Sequence, residues 1–459
     1  MPTDSQQTPS ALVIRAVSRT DVGMRRATNQ DSVAIVPSAN GNLLSGDAVL
    51  MVADGMGAHA AGELASKMAV ETIPHTFLKS AGQPAHESLR KAISEANTKI
   101  NGKGASSADF QGMGTTCSCL VIVQGSAVIG HVGDSRVYRL RHGELAQLTF
   151  DHSLVWEMAA ASKVAEDKVP SCIPKNVITR SLGPHETVNV DLEGPEALEE
   201  GDTFLLCSDG LTAVVDDPLA ASLLATLEPA EAADALINLA NLRGGPDNIS
   251  VIVARVEQAN SGQNSGVTAV TPSSPTPRAG GIVAAAASLL LGGWCLTQSH
   301  TVGMFASAIG LVASIVYAFT GRPATEPSAS PQLSGGPYGK GPYRRSECGD
   351  HAAAAGDLRD VVAQLAALHR DSDVQEPGSG TERSDGMLSG INNGSVIAEP
   401  FSIDWTPFTE PRASADAAFE AGDFGKATVA YARLVGEVMQ AVREDDGTHR
   451  YKTPNEVVS

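Results

Sequence analysis

The sequence predicts an α+β protein built in several parts, and three observations carry that prediction. Short β-branched apolar runs ending in aspartate and glycine recur as far as Asn248. Two charge-free apolar segments follow a Pro/Ser/Thr-rich stretch, and two amphipathic helical islands stand in an otherwise unpatterned tail. A length of 459 residues suggests about three domains.

The strands come first. Val49–Val52 precede Asp54, Val128–Val132 precede Asp134, and Phe204–Cys207 precede Asp209. Continuous apolar runs closed by glycine read as buried strands. The acids sit in the turns V-A-D-G-M-G, V-G-D-S-R, C-S-D-G and, for Asp247, G-P-D-N. One Asp-Gly is an ordinary turn. A set of four, scattered in sequence but alike in local grammar, is how a chain gathers oxygen ligands for hard divalent cations. Glycine after the carboxylate lets the backbone turn sharply and bring its own carbonyl toward a ligand.

The ordered series Arg26-Ala-Thr-Asn-Gln-Asp31, Asp54-Gly-Met-Gly-Ala-His59, Gly114-Thr-Thr116, Gly133-Asp-Ser-Arg136-Val-Tyr138, Leu148-Thr-Phe-Asp-His152, Ile178-Thr-Arg-Ser-Leu-Gly183, Leu206-Cys-Ser-Asp-Gly-Leu211 and Asp247-Asn248 resembles the metal-dependent Ser/Thr protein phosphatases of the 2C type. It covers about residues 11–257, in the family's order and approximate spacing, and Asp-Gly-Met-Gly and Asn-Gln-Asp look like bacterial members. The resemblance implies a central β-sandwich flanked by helices, in four layers α-β-β-α, with metals in a cleft at one end of the sheets. It implies Mn²⁺ or Mg²⁺, two ions with room for a third, and hydrolysis of phosphoserine and phosphothreonine. By the same resemblance Asp54 bridges the two ions, the Gly55 carbonyl coordinates one, and Asp209 and Asp247 complete the other site. Asp134, with Asp209, matches a third-metal position, Asp31 acts through a water, and Arg26 clamps the substrate phosphate with its planar donor fork.

Two departures stand out. Gln30 occupies a place where many relatives carry Glu, and Met56 one where animal relatives place a histidine proposed as general acid. His59 reads as a polar residue opening a helix rather than as a replacement.

The chemistry has its own logic. A phosphomonoester is inert in water, so a catalyst must supply a nucleophile and neutralise charge on the transferring group. Two cations about 3.5–4 Å apart do both. No serine, cysteine or histidine nucleophile is then needed, and the sequence has no G-x-S-x-G elbow, no P-loop and no zinc-ligand histidine spacing.

A net charge of −19 and a pI near 5 argue against nucleic acid as a partner. Arg136, Arg139, Arg141 and His142 cluster after Asp134, but alternation along a strand splits them between faces. The six cysteines form no C-x-x-C pair; Cys117 and Cys119 share one strand face and read as core. Met1–Ser10 lacks the basic and apolar regions of a signal peptide. Residues 153–177 lie where the family has a mobile flap over the cleft, and they read equally as a plain surface connection.

After this domain, residues 258–279 read as a Pro/Ser/Thr linker, and 280–297 and 302–320 as two transmembrane helices of marginal length. Arg278 and Arg322 flank them and the turn between carries no Lys or Arg, which puts both ends in the cytoplasm. Ala306, Gly310 and Ser314 suit close helix approach. The expected location is the inner membrane, with the catalytic domain and tail cytoplasmic. Residues 321–350 read as a disordered linker and 351–459 as a largely disordered, partly helical tail. Within it, Ala355-Gly-Asp-Leu and Ala421-Gly-Asp-Phe share a helix start, and the second island resembles part of a tetratricopeptide repeat, with Ala427 and Tyr431 at packing positions. Such a tail is expected to be an isolated amphipathic helix that docks a partner. Deleting 351–459 should then spare hydrolysis of small esters.

The expected partners are phosphorylated proteins, a Ser/Thr kinase or its targets. The alternatives are a catalytically weak phosphoprotein-binding membrane scaffold and a partner-switching regulator phosphatase.

Overall fold

The apolar runs do become strands. In the computed structural model, which describes residues 12–37, 48–57, 60–80, 82–164, 168–170, 172–174, 177–258, 338–373 and 404–445, they form two antiparallel sheets. The six-stranded sheet runs β1 (Leu12–Asp21), β12 (Ile249–Gln258), β11 (Thr203–Cys207), β8 (Arg136–Arg141), β9 (Glu144–Gln147) and β13 (Arg344–Glu347). The five-stranded sheet runs β10 (Asp191–Ala197), β7 (Ser126–Val132), β6 (Cys117–Val123), β3 (Ala48–Ala53) and β2 (Ser32–Pro37). A short pair, β4 (Gly55–Met56) and β5 (Gly114–Thr115), stands apart.

The side-chain period of two explains the layers. Along β3, Leu50 and Val52 enter a core shared with Ile14, Phe204, Leu206 and Ile252 of the other sheet. Val49, Met51 and Ala53 point the opposite way, against α1 (Ala61–Leu78) and α2 (Ala85–Ala105). Along β12, Val251 and Val253 meet α5 (Asp217–Thr226) and α6 (Pro229–Leu242), while Ile252 and Ala254 face the inter-sheet core. Strands covered on both faces are apolar throughout, which is why they read as runs rather than alternations. The expected four-layer α-β-β-α sandwich is present. Cys117 and Cys119 both lie buried beneath α1 and α2.

The tail departs from expectation. Residues 338–350 are no linker: Tyr338 bridges Gly194, and β13 adds to the edge of β9 with Arg344 opposite Gln147 and Glu347 opposite Glu144. Beyond it lie α7 (Ala352–Asp373), α8 (Thr409–Glu420) and α9 (Phe424–Asp445). Leu358, Val362 and Leu365 of α7 and Tyr431, Val435 and Val438 of α9 join one apolar core with Leu223, Leu224, Leu236 and Leu239. The described tail is therefore folded onto the α5–α6 layer and belongs to the same compact unit as the sheets. The physical reason is that α5 and α6 are apolar on two sides, so amphipathic helices within the chain have a surface to cover.

The shared Ala-Gly-Asp start also divides. Residues 355–357 lie inside α7, whereas 421–423 form the turn between α8 and α9, with Gly422 at φ +74° and Asp423 Oδ1 accepting from the Lys426 N–H at 3.3 Å. Ala427 and Tyr431 are buried as the repeat-like pattern requires, and the Tyr431 hydroxyl donates to Asp416 Oδ1 at 2.5 Å.

Among the described residues no helix is long and apolar enough to cross a membrane. The segments 280–297 and 302–320 lie outside the described residues, as do Ala58 and His59.

Candidate metal and phosphate site

Asp54 emerges where β3 ends. Its backbone N–H donates to Thr116 Oγ1 at 2.8 Å, and its carbonyl accepts from the Thr116 N–H and the Thr115 hydroxyl, both at 2.8 Å. The G-T-T motif is thus the clasp on this turn. Next to it, Gly55 donates its N–H to the Gln30 carbonyl at 3.1 Å, and a Cβ there would stand 2.2 Å from the Gly62 carbonyl oxygen. Only glycine fits.

Asp134 sits between β7 and β8, after Gly133 at φ +115°. The Gly133 N–H donates to His152 Nδ1 at 2.9 Å and its carbonyl accepts from the His152 N–H at 2.7 Å. With Nδ1 an acceptor, His152 Nε2–H donates to Asp191 Oδ2 at 2.9 Å. Burial would raise the Asp191 carboxyl, yet the hydrogen bonds from His152 and Arg180 and the Arg180 guanidinium charge outweigh it and hold the group below the ordinary carboxylate range.

Asp209 opens α4 (Asp209–Thr212) directly after β11. Ser208, between them, accepts from the Ser250 N–H at 2.9 Å and donates its hydroxyl to Asp31 Oδ2 at 2.8 Å. Asp247 and Asn248 precede β12. Asn248 donates to the carbonyls of Val22 (2.9 Å) and Thr28 (3.0 Å) and accepts from the Gln30 N–H (2.8 Å), so it staples the loop that carries Arg26. Arg26 Nη2 meets Asp247 Oδ2 at 2.6 Å, and half of the Arg26 side chain remains exposed.

These acids share one electrostatic environment. Burial, then repulsion by Asp209 and Asp247, lifts Asp31 to about 7 against the opposing bonds from Ser208 and Ser250. Burial followed by Asp31, Asp209 and Asp134 raises Asp54 well above the usual carboxylate range; burial followed by Asp209 and Asp151 does so for Asp134. Asp209 is raised by burial and Asp247, and it is hydrogen-bonded to Asp54. By accessible surface Asp54 and Asp209 are only partly buried.

Three carboxylate oxygens, Oδ1 of Asp31, Asp134 and Asp209, are buried without a hydrogen-bond partner. Native proteins rarely leave such atoms orphaned. Hard oxygens with spare lone pairs, free of soft thiolates, fit divalent Mn²⁺ or Mg²⁺. Among the described residues no three acidic, thiol or imidazole groups already close a ligand set, since Asp247 is drawn to Arg26 and Asp54 to Asp209. Both facts have one cause: like charges in a poorly solvated mouth repel, and each finds the nearest proton or cation.

The structure thus brings Asp31, Asp54, Asp134, Asp209, Asp247 and Arg26 together, with Gly55 on the turn beside Asp54. The arginine cluster is otherwise employed: Arg136 pairs with Asp151 (2.7 Å), Arg139 with Glu196, and Arg141 with Asp202 (2.6 Å). It offers no free basic patch for substrate. The positioning residues Asn248, Ser208 and the His152–Asp191 pair were missed. The motifs C-S-D-G, D-N and D-H contained three of the four, with no local signal for what they hold.

A helix-flanked double sheet with acidic turns and an arginine gathered at its mouth is the design of a metal-ion phosphohydrolase. The family description Protein phosphatase 2C matches residues 24–242. The serine/threonine protein phosphatase PstP of Mycobacterium tuberculosis is 37% identical over 252 residues, covering 55% of this chain and 47% of that protein. A putative protein phosphatase 2C-type of Streptococcus pyogenes is 36% identical over 243 residues, 52% of this chain and 96% of that protein. A crystal structure of the PstP catalytic domain in complex with two manganese ions is 35% identical, covering 54% of this chain and all of that one, with a TM-score of 0.47. The chain belongs to the protein phosphatase 2C family. Its match spans about half the length of PstP.

Proposed function

We propose that the whole chain is a metal-dependent protein Ser/Thr phosphatase, tethered to the membrane and acting on phosphoserine and phosphothreonine of a Ser/Thr kinase or its targets. The observation that carries this reading is the set of buried, unpartnered carboxylate oxygens beside an arginine. Asp54, the Gly55 carbonyl, Asp209 and Asp247 would hold two Mn²⁺ or Mg²⁺ ions, with Asp134 and Asp209 offering a third place and Asp31 acting from behind. Bound divalent ions supply the Lewis acidity that activates water and neutralises phosphate charge. Arg26, oriented by Asp247, presents its remaining guanidinium donors to the substrate phosphate. The hydrogen bond from Ser208 holds Asp31 in place, and the Thr115–Thr116 clasp fixes the turn that carries Asp54. The PstP relative and the Streptococcus pyogenes relative support this assignment. A scaffold without activity is disfavoured, because every acid and Arg26 stand together.

The test is turnover of para-nitrophenyl phosphate by the full chain. Activity is expected with Mn²⁺ and is expected to vanish with chelator and return on adding metal; chelator-insensitive turnover would refute the reading.

Membrane attachment rests on the two apolar segments. The flanks 12–258 and 338–373 belong to one unit, so a chain that crosses the bilayer between them must cross an even number of times. Two helical spans would satisfy that requirement, and Arg278 and Arg322 at their outer ends favour the cytoplasm for both flanks. After high-pH carbonate treatment the chain should stay in the membrane pellet; its release would remove this part of the proposal.

A further inference from the structure

Helix α3 (Leu154–Ser162) begins two residues after His152, whose ring and backbone close the Gly133 turn beside Asp134. It is short, and its buried face is Val155, Trp156 and Ala159. Trp156 stacks on Phe150 with ring centroids 5.6 Å apart and planes 12° from parallel. Two guanidinium groups share the same indole. Arg136, two residues beyond Asp134, lies 5.2 Å from its centroid, and Arg344, from the C-terminal strand β13, lies 5.1 Å from it.

The two arginines are also joined through one polar chain. Arg136 Nη1 donates to the Tyr138 hydroxyl (3.0 Å), that hydroxyl donates to Asp217 Oδ1 (3.0 Å), and Asp217 Oδ2 lies 3.7 Å from Arg344 Nη1. Tyr343 reinforces the seat. Its ring meets Phe150 edge-on at 5.5 Å, its hydroxyl donates to Glu193 Oε1 at 2.5 Å, and its N–H donates to the Gln147 carbonyl at 2.8 Å. A segment far along the chain thereby completes the packing of a helix that adjoins the acidic mouth.

We infer that Arg344 is a positioning residue for substrate recognition: it clamps α3 against the Asp134 turn, so that the folded C-terminal module sets how tightly a phosphoprotein is held. This rests on the phosphatase reading of the site. A small ester needs only the acids and Arg26, whereas a phosphoprotein extends over the neighbouring surface, where α3 must keep one position. A cation on an indole is a modest anchor, here with the Arg344 side chain 35% exposed, and its loss frees the helix without removing any proposed metal ligand.

The experiment compares full-length wild type with Arg344→Ala and Arg344→Lys. In Arg344→Ala, amide exchange across 154–162 should quicken roughly tenfold. KM for a phosphothreonine peptide should rise about fivefold, a change within the reach of one cation–π contact, with kcat and para-nitrophenyl phosphate turnover within about twofold. Arg344→Lys should restore most of both. Unchanged exchange, an unchanged peptide KM, or a parallel fall in small-ester turnover would each overturn the inference. If wild type fails to hydrolyse the small ester with Mn²⁺, the phosphatase reading fails instead, and the exchange comparison still decides whether the clamp exists.

Discussion

Asp54→Asn in the full chain is expected to lower para-nitrophenyl phosphate turnover by about a thousandfold while leaving the metal-free protein at least as stable as wild type. The two outcomes have opposite electrostatic origins. Asp54 is half-buried and faced by Asp31, Asp209 and Asp134, and desolvation followed by those three charges raises its carboxyl well above the ordinary range. A group raised in this way contributes stability below its unfolded value, about 3.9, and that contribution is lost as pH climbs through the folded one. At neutral pH, without metal, the carboxylate is therefore a liability that asparagine relieves. With Mn²⁺ the balance reverses, because wild type gains binding energy that the amide cannot supply. Rates and thermal midpoints with and without Mn²⁺ check both halves. Retained activity, or a metal-free variant that melts lower, would show that Asp54 is not the centre of the site.

Tyr431→Ala should cost about 3–5 kcal/mol, the range for deleting a buried aromatic ring. The ring is fully buried among α5, α6 and α7, and its hydroxyl bonds to Asp416. Losing both removes the centre of the seam between the catalytic layer and the C-terminal helices. Deleting 351–459 outright would uncover the apolar surface of α5 and α6 that α7 and α9 cover, so the truncated chain should bind a hydrophobic dye and aggregate. This reverses the expectation drawn from the sequence, in which the tail was dispensable for small-ester hydrolysis. A midpoint that moves by less than a degree in Tyr431→Ala would show that the seam carries no stability.

The acids were legible because their information is local. A strand that must stop, a carboxylate at its tip and a glycine to turn on are written in four or five consecutive residues, as at Asp54 and Asp209. The residues that orient those acids are not local. Asn248 ties together Val22, Thr28 and Gln30, more than two hundred positions away, and His152 reaches both Gly133 and Asp191. Nothing beside Asn248 in sequence says what its amide will bind. The arginines after Asp134 were legible as charge but not as partners, and each turned out to neutralise a distant acid.

By itself, then, the chain's residue order identified the buried strands at 49–52, 128–132 and 204–207, the acidic turns that follow them and the apolar face of two tail helices, since these depend on backbone period and turn chemistry within a few residues. Only folding in three dimensions decided where that apolar face goes and what Arg344 touches. Hydrophobic burial is non-directional: an amphipathic stripe requires a cover without naming it, and here the cover is the chain's own α5–α6 surface rather than a second protein.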